Sequence, residues 1–324
     1  MGKSRITIVG LGLIGGSIGL TLKHSKADLE IIGHDKDLGV SGRAVKRGAV
    51  DKTNWNLPGA CEGAGFIVLA LPLNAIKETL AALVPVVQPG VIITDTCSTK
   101  APVLEWAKQL PDGVHFVGGH PVLKPNRALT GHGLDAAEPT LFEGATYCLT
   151  PSVTAASTAI DLVSSFVTLL GAKPYFLQAD EHDGLTASVQ QLPALIGTAL
   201  ASITMQSPGW RELGKLAGAD LRAATEFVPG DGKTAREQFL AHRADLLRLI
   251  DSLTGKLNEL RGMVEREDAD ALETLIESIN AKRDEWLSGN LEQRGSTSVD
   301  LESIQNSTAR LFIGGLANRT PKRK

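Results

Sequence analysis

A β-branched run, Ile6-Thr7-Ile8-Val9, ends in Gly10-Leu11-Gly12-Leu13-Ile14-Gly15, a G-x-G-x-x-G spacing that leads straight into the helical stretch Leu13–His24. No other feature restricts the fold as much. Gly10 permits a tight turn at the end of a strand, and Gly12 lets the backbone come close to a pyrophosphate. Gly15 lets the helix pack closely on the strand, and the helix N-terminus faces the anion. Asp35 ends the next strand, 20 residues after Gly15, where a carboxylate accepts hydrogen bonds from adenosine ribose hydroxyls and repels a 2′-phosphate. Gly10, Gly12, Leu13, Ile14, Gly15 and Asp35 are therefore expected to bind NAD in preference to NADP, with Lys36 and Arg43 close enough to weaken that preference.

The rest of the first half has the rhythm that such a turn requires. Short apolar runs (Glu30–Gly33, Phe66–Leu71, Val91–Thr94, Val114–Val117, Thr146–Leu149, Lys173–Phe176) alternate with amphipathic stretches. Helices are expected over Asp37–Arg47, stopped by Gly48, over Ala75–Val87, from about Thr99, and near Ala155–Leu170. This βαβα order implies a doubly wound, parallel Rossmann sheet. After Ala179 the strand signals stop. Asp180–Met205 reads as one helical stretch kinked at Pro193. Leu246, Ile250, Leu253, Leu257, Leu260 and Val264 recur at 4-3 spacing, predicting a helix of about 29 residues. Leu272, Leu275, Ile279 and Trp286 begin another. For 324 residues two domains are expected. We place a Rossmann domain at 1–178, an all-helical domain at 179–288 and a polar, basic tail at 289–324. The tail is either simply solvated or held by an anionic partner, and its Leu311-Phe312-Ile313 segment is apolar enough to dock on the body.

Composition excludes several functions. At 43% hydrophobic and 21% charged residues the chain is globular, and a net charge of −3 argues against a nucleic-acid partner. Cys61, Cys97 and Cys148 form neither a disulfide framework nor a metal-ligand spacing, so a cytoplasmic location and no metal are expected. The N-terminal stretch is glycine-punctuated and lacks a signal-cleavage pattern, and Ile6 breaks the myristoylation pattern. No apolar run is long enough to span a membrane.

Two strand ends carry chemistry. Asp95-Thr96-Cys97-Ser98-Thr99-Lys100 follows the strand Val91–Thr94, where ligands bind in open parallel sheets. Ser98 or Thr99 is either a helix cap or a site residue; Cys97 is expected to be a buried thiol, having no base beside it in sequence. Gly118-Gly119-His120-Pro121 follows another strand, and Pro121 is expected to fix a turn that presents His120 as general acid/base. His182 opens the long helix and has no role assigned from sequence.

These segments together resemble the prephenate/arogenate dehydrogenase family of tyrosine biosynthesis over about residues 5–288. The resemblance is carried by GLGLIGGSIGLTL, DTCSTK, GGHP, GLDAAEPTLFEGATYCLTP and ADEHDGLTASVQQLP. It implies a Rossmann domain followed by a helical domain that forms a homodimer. It also implies oxidation of a ring hydroxyl by NAD(P) with loss of the ring carboxylate as CO2, a catalytic histidine at His120 and a partner serine at Ser98. The chain departs from the family pattern at three places. Val122–Arg127 replaces a Gly-Thr-Glu-Lys-Ser-Gly-like loop. Val189-Gln190-Gln191-Leu192-Pro193-Ala194 stands where the family has Ser-His-Leu-Pro-His. Thr225-Glu226 stands where a Thr-Arg pair binds the substrate carboxylate. Lys124 and Arg127 are the candidates to supply the missing cation, and Glu226 is expected to sit near the substrate. Two alternatives remain at this point: an NAD-dependent dehydrogenase of the same fold acting on another small carboxylated substrate, and a non-catalytic NAD-binding relative.

Overall fold

The computed structural model describes residues 4–25, 28–125, 127 and 132–289. The basic tail, with Leu311–Ile313, lies outside them. The described chain forms two compact units, one ending at His182 and the other starting at Asp183.

The first unit begins with β1 (Ser4–Val9), α1 (Leu13–His24), β2 (Leu29–His34), α2 (Leu38–Lys46), β3 (Lys52–Thr53), α3 (Leu57–Cys61), β4 (Phe66–Leu69) and α4 (Leu73–Leu83). It continues with β5 (Ile92–Asp95), α5 (Ala101–Ala107), β6 (His115–Val122), β7 (Thr146–Pro151), α6 (Ser157–Leu169), β8 (Lys173–Phe176) and the start of α7 (Ala179–Thr186). The eight strands form one sheet in the order β3-β2-β1-β4-β5-β6-β7-β8. All neighbours are parallel except β6 and β7. That antiparallel step departs from the all-parallel expectation. Between β6 and β7 the described chain holds a single 3-10 turn, Gly133–Ala136, and no α-helix to carry a parallel crossover.

Period-two alternation divides the central strands between two cores. Ile6, Ile8, Phe66, Val68 and Ile92 enter one core with α1 and α6 residues such as Ile18, Val163 and Phe166. Ile67, Leu69 and Ile93 enter the other with Ile76, Leu80 and Val103 of α4 and α5. Every residue of β4 and β5 is buried, as strands covered on both faces must be. α2 is capped by Asp37, whose side chain accepts from the N–H groups of Gly39 and Val40, and Gly48 follows it at φ 71°. The short β3 and α3 were not evident from the sequence, being too brief to show periodicity.

The second unit is helical throughout: the end of α7, α8 (Leu192–Met205), α9 (Trp210–Leu216), α10 (Ala219–Ala224), α11 (Gly232–Ala241), α12 (Arg243–Glu265) and α13 (Ala269–Leu287). At the kink expected at Pro193 the helix runs through a π-helical turn, Ala187–Gln191, directly into α8, whose first turn holds Pro193. The seam helix α12 has 23 residues rather than about 29, because α11 ends just before it, at Ala241.

Candidate active site

The glycine turn forms as its spacing requires. Gly10 sits at φ 90°, a region L side chains rarely adopt, and a Cβ there would lie 2.2 Å from the Ala70 carbonyl oxygen. A Cβ on Gly15 would lie 1.9 Å from the Gly10 carbonyl oxygen, whereas one on Gly12 would meet nothing within 4 Å. Gly10 and Gly15 are thus demanded by packing, and Gly12 borders open space. α1 starts at Leu13 with Gly12 at its N-cap, no capping side chain and no acid in its first turn. Its first N–H groups lack intrahelical acceptors and are available to an anion. Leu13 and Ile14 are half-buried and pack on the core beneath. Asp35 is drawn to the same turn: its Oδ2 accepts from Leu11 N–H at 2.9 Å and its Oδ1 from Asp37 N–H at 2.9 Å. The residues singled out for NAD therefore lie together at one turn. Its open face at Gly12 and the uncapped helix end suit a pyrophosphate.

A second group lies at the ends of β5 and β6. Asp95 and Lys100 are both fully buried and form an ion pair. Asp95 also accepts from Cys97 N–H at 3.0 Å and Gly119 N–H at 3.1 Å, and Lys100 Nζ donates to the Gly119 carbonyl at 2.8 Å. Two opposite charges in the interior, with these extra hydrogen bonds, tie the loop after β5 to the residue before His120. Sequence reading assigned Lys100 no role; a charged residue between Thr99 and a helix start does not announce its burial. Lys100 also occupies the N-cap position of α5, so Ser98 and Thr99 are not at the cap. Ser98 is half-buried in this loop, and Cys97 is a buried thiol.

His120 lies inside strand β6, not in a turn, and faces Cys148 across the antiparallel register. Pro121 is accommodated because β5 pairs with β6 only as far as Val117, leaving this stretch flanked on one side, an edge condition proline tolerates. His120 Nδ1 makes a hydrogen bond of 2.9 Å to Nε2 of His182, at the start of α7, with the rings edge to face. Both imidazoles are buried. Burial, then the charges of His182 and Lys100, hold His120 well below the ordinary histidine value of 6.5, so it is a neutral base at pH 7. Burial pushes the Cys148 thiol up to about 11. His120, Cys148 and His182 place one donor atom each within 4.8 Å of one another. The two ring nitrogens already bond each other, and the nearby Lys100 charge opposes a further cation.

Lys124 and Arg127 come together with Glu143, Leu141 and Gly144 around a polar cavity of about 450 Å3. The Arg127 guanidinium is paired with Glu138 and donates to Thr140 Oγ1 at 3.2 Å. Glu226 belongs to the second unit, in the turn after α10, and is exposed. No described helix is long and apolar enough to cross a membrane.

Comparison with known proteins gives a consistent result over both units. Residues 18–176 match the family model "Prephenate dehydrogenase, nucleotide-binding domain", and residues 178–278 match "Prephenate dehydrogenase, dimerization domain". The prephenate dehydrogenase of Bacillus subtilis is 30% identical over 87% of this chain and 76% of its own length. That of Lactococcus lactis is 32% identical over 84% and 75%. Among solved structures, the arogenate dehydrogenase of Synechocystis is 28% identical with a TM-score of 0.72, covering 87% of this chain and 99% of that one. The prephenate dehydrogenase of A. aeolicus, solved with hydroxyphenyl propionate and NAD+, shares the fold at 23% identity and a TM-score of 0.78, over 88% and 99%.

Proposed function

The chain belongs to the prephenate dehydrogenase family of NAD-dependent oxidoreductases, and from that premise we propose that it converts prephenate or arogenate to its aromatic product with loss of CO2. The observation that carries the proposal is the buried His120, hydrogen-bonded to His182, at the carboxyl edge of the same sheet that bears the glycine turn.

NAD, when bound, supplies the acceptor for the hydride that leaves the ring carbon bearing the hydroxyl. The protein's own residues do the rest. The Gly10–Gly15 turn and the N-terminus of α1 would hold the pyrophosphate, and Asp35 would accept from the ribose hydroxyls while keeping its bond to Leu11 N–H. His120 takes the hydroxyl proton as the C–H electrons depart, and Ser98 orients the histidine or the substrate oxygen. The Asp95–Lys100 pair holds the strand end that presents His120. Aromatisation of the ring supplies most of the driving force, so the residues chiefly orient the substrate and accept one proton. Of the two cations near Gly144, Lys124 is the better placed to bind a substrate carboxylate, because Glu138 already neutralises Arg127. A homodimer formed through the helical unit agrees with the dimerization-domain match and with the apolar side chains that unit exposes. Three buried thiols, Cys61, Cys97 and Cys148, support a reducing, cytoplasmic setting.

The test is NADH formation by the purified protein with prephenate and arogenate side by side, for wild type and His120→Ala. The variant is expected to lose about 10²-fold or more in kcat while its NAD affinity stays nearly constant. Wild-type turnover in that variant would remove His120 from the mechanism, and no turnover of either compound by the native protein would overturn the substrate.

A further inference from the structure

The His120–His182 contact imposes a condition that the role of His120 as base does not state. A neutral imidazole carries one proton on two nitrogens. The contact joins His120 Nδ1 to His182 Nε2, so one nitrogen must donate and the other accept. If His182 donated, the single proton of His120 would sit on Nε2 and its free lone pair would be spent inside the pair. His120 could then take nothing from a substrate. Only the opposite arrangement leaves a lone pair on Nε2.

We propose that His182 is a positioning residue whose Nε2 accepts the Nδ1–H of His120, fixing the tautomer in which His120 Nε2 is the proton acceptor. This rests on the reading of His120 as general base. Three observations support it. The hydrogen bond is 2.9 Å long and both rings are buried, so water does not compete for either nitrogen of the contact. His182 is held at the start of α7, where its backbone N–H donates to the Gln178 carbonyl at 2.9 Å. His120 is held in the strand opposite Cys148. With both backbones fixed, the burial of the two rings and their mutual hydrogen bond restrict rotation about the side-chain bonds.

The proton balance follows. The substrate O–H bond breaks and its proton binds His120 Nε2. The C–H electron pair leaves with the hydride, and the imidazolium so formed keeps its Nδ1–H on His182. That bond goes from neutral to charge-assisted as the reaction proceeds, so it strengthens when the barrier is crossed. The imidazolium afterwards releases its Nε2 proton to solvent. The effect belongs in kcat, not in binding.

The experiment pairs kinetics with 15N NMR of histidine-labelled protein. In the wild type without substrate, His120 should show Nδ1 protonated and Nε2 bare. His182→Leu keeps bulk but cannot accept. It should lower kcat by about 10²-fold with KM for NAD and substrate little changed, a smaller loss than is known for triads whose orienting partner is a carboxylate. The His120 resonances should move to a mixture of tautomers. His182→Gln places an amide oxygen near the position of Nε2, and it should restore the tautomer and most of kcat. Wild-type kcat in His182→Leu, or a wild-type His120 protonated on Nε2, overturns the proposal. If His182→Leu does not fold, the wild-type spectrum and His182→Gln still decide it. Failure of the native protein to oxidise either substrate would count against the proposed function, while the tautomer measurement would still settle the pair.

Discussion

The two units of this chain solve the burial problem in opposite ways. In the first, the sheet is covered on both faces, and Ile8, Ile67, Leu69, Ile76 and Ile93 are completely withdrawn from water. It even holds a fully buried lysine, satisfied by Asp95 and the Gly119 carbonyl. In the second, the described residues bury only three apolar side chains, Ala187, Ala235 and Leu246. Ile203, Leu216, Phe227, Leu257, Val264 and Ile279 are exposed, and α8 is apolar or small nearly all round its circumference. A helix of that kind is stable only when covered. One unit thus completes its core within itself. The other has a surface that calls for a second copy, in agreement with the dimerization-domain match.

The largest expected effect breaks the closed unit from inside. Lys100→Met leaves Asp95 buried without its counter-charge and should cost about 3–5 kcal/mol in urea unfolding. A loss below about 1 kcal/mol would mean that water reaches the pair. Next comes the glycine turn, where packing and ligand access can be told apart. Gly15→Ala must push the Gly10 carbonyl aside and should destabilise by about 1–3 kcal/mol. Gly12→Ala should leave the melting temperature almost unchanged while weakening NAD binding, because its Cβ enters open space. Equal stability losses in the two variants would erase the distinction.

The open unit should respond in assembly instead. Leu257 is 55% exposed, so Leu257→Glu costs the isolated chain little but places a charge in the proposed interface. Sedimentation should show monomers at micromolar concentration with NAD binding retained; an unaltered dimer would place the interface elsewhere. The smallest effect concerns pH. His120 is neutral in the folded chain and titrates near 6.5 when unfolded, so below that pH the unfolded state binds the extra proton. Stability should therefore fall as pH drops from 6.5 towards the lowered native value, and His120→Gln should flatten that slope. A slope unchanged by the substitution would assign it to other groups.

How far each region was legible follows from the range of the forces involved. The helix α1 falls at Leu13–His24 as its sequence implies, because a β-branched run, three spaced glycines and an amphipathic stretch are all local signals. The same holds for β8 and for the capped α2. His120 stood out in the sequence as the candidate base, but not as a strand residue. The proline after it reads as a breaker, and only the end of the β5 pairing at Val117 makes room for it.

The sequence by itself therefore determined the class of fold and the dinucleotide turn, and singled out His120 as the candidate base, since each rests on residues within a few positions of one another. Only the tertiary structure decided the antiparallel step at β7, the burial of Lys100 and the pairing of His120 with His182. The two histidines are 62 residues apart, and Lys100 and the Gly119 carbonyl 19. Contacts across such separations are set by sheet order and by which helix covers which edge. Those are outcomes of packing the whole chain, and no local spacing records them.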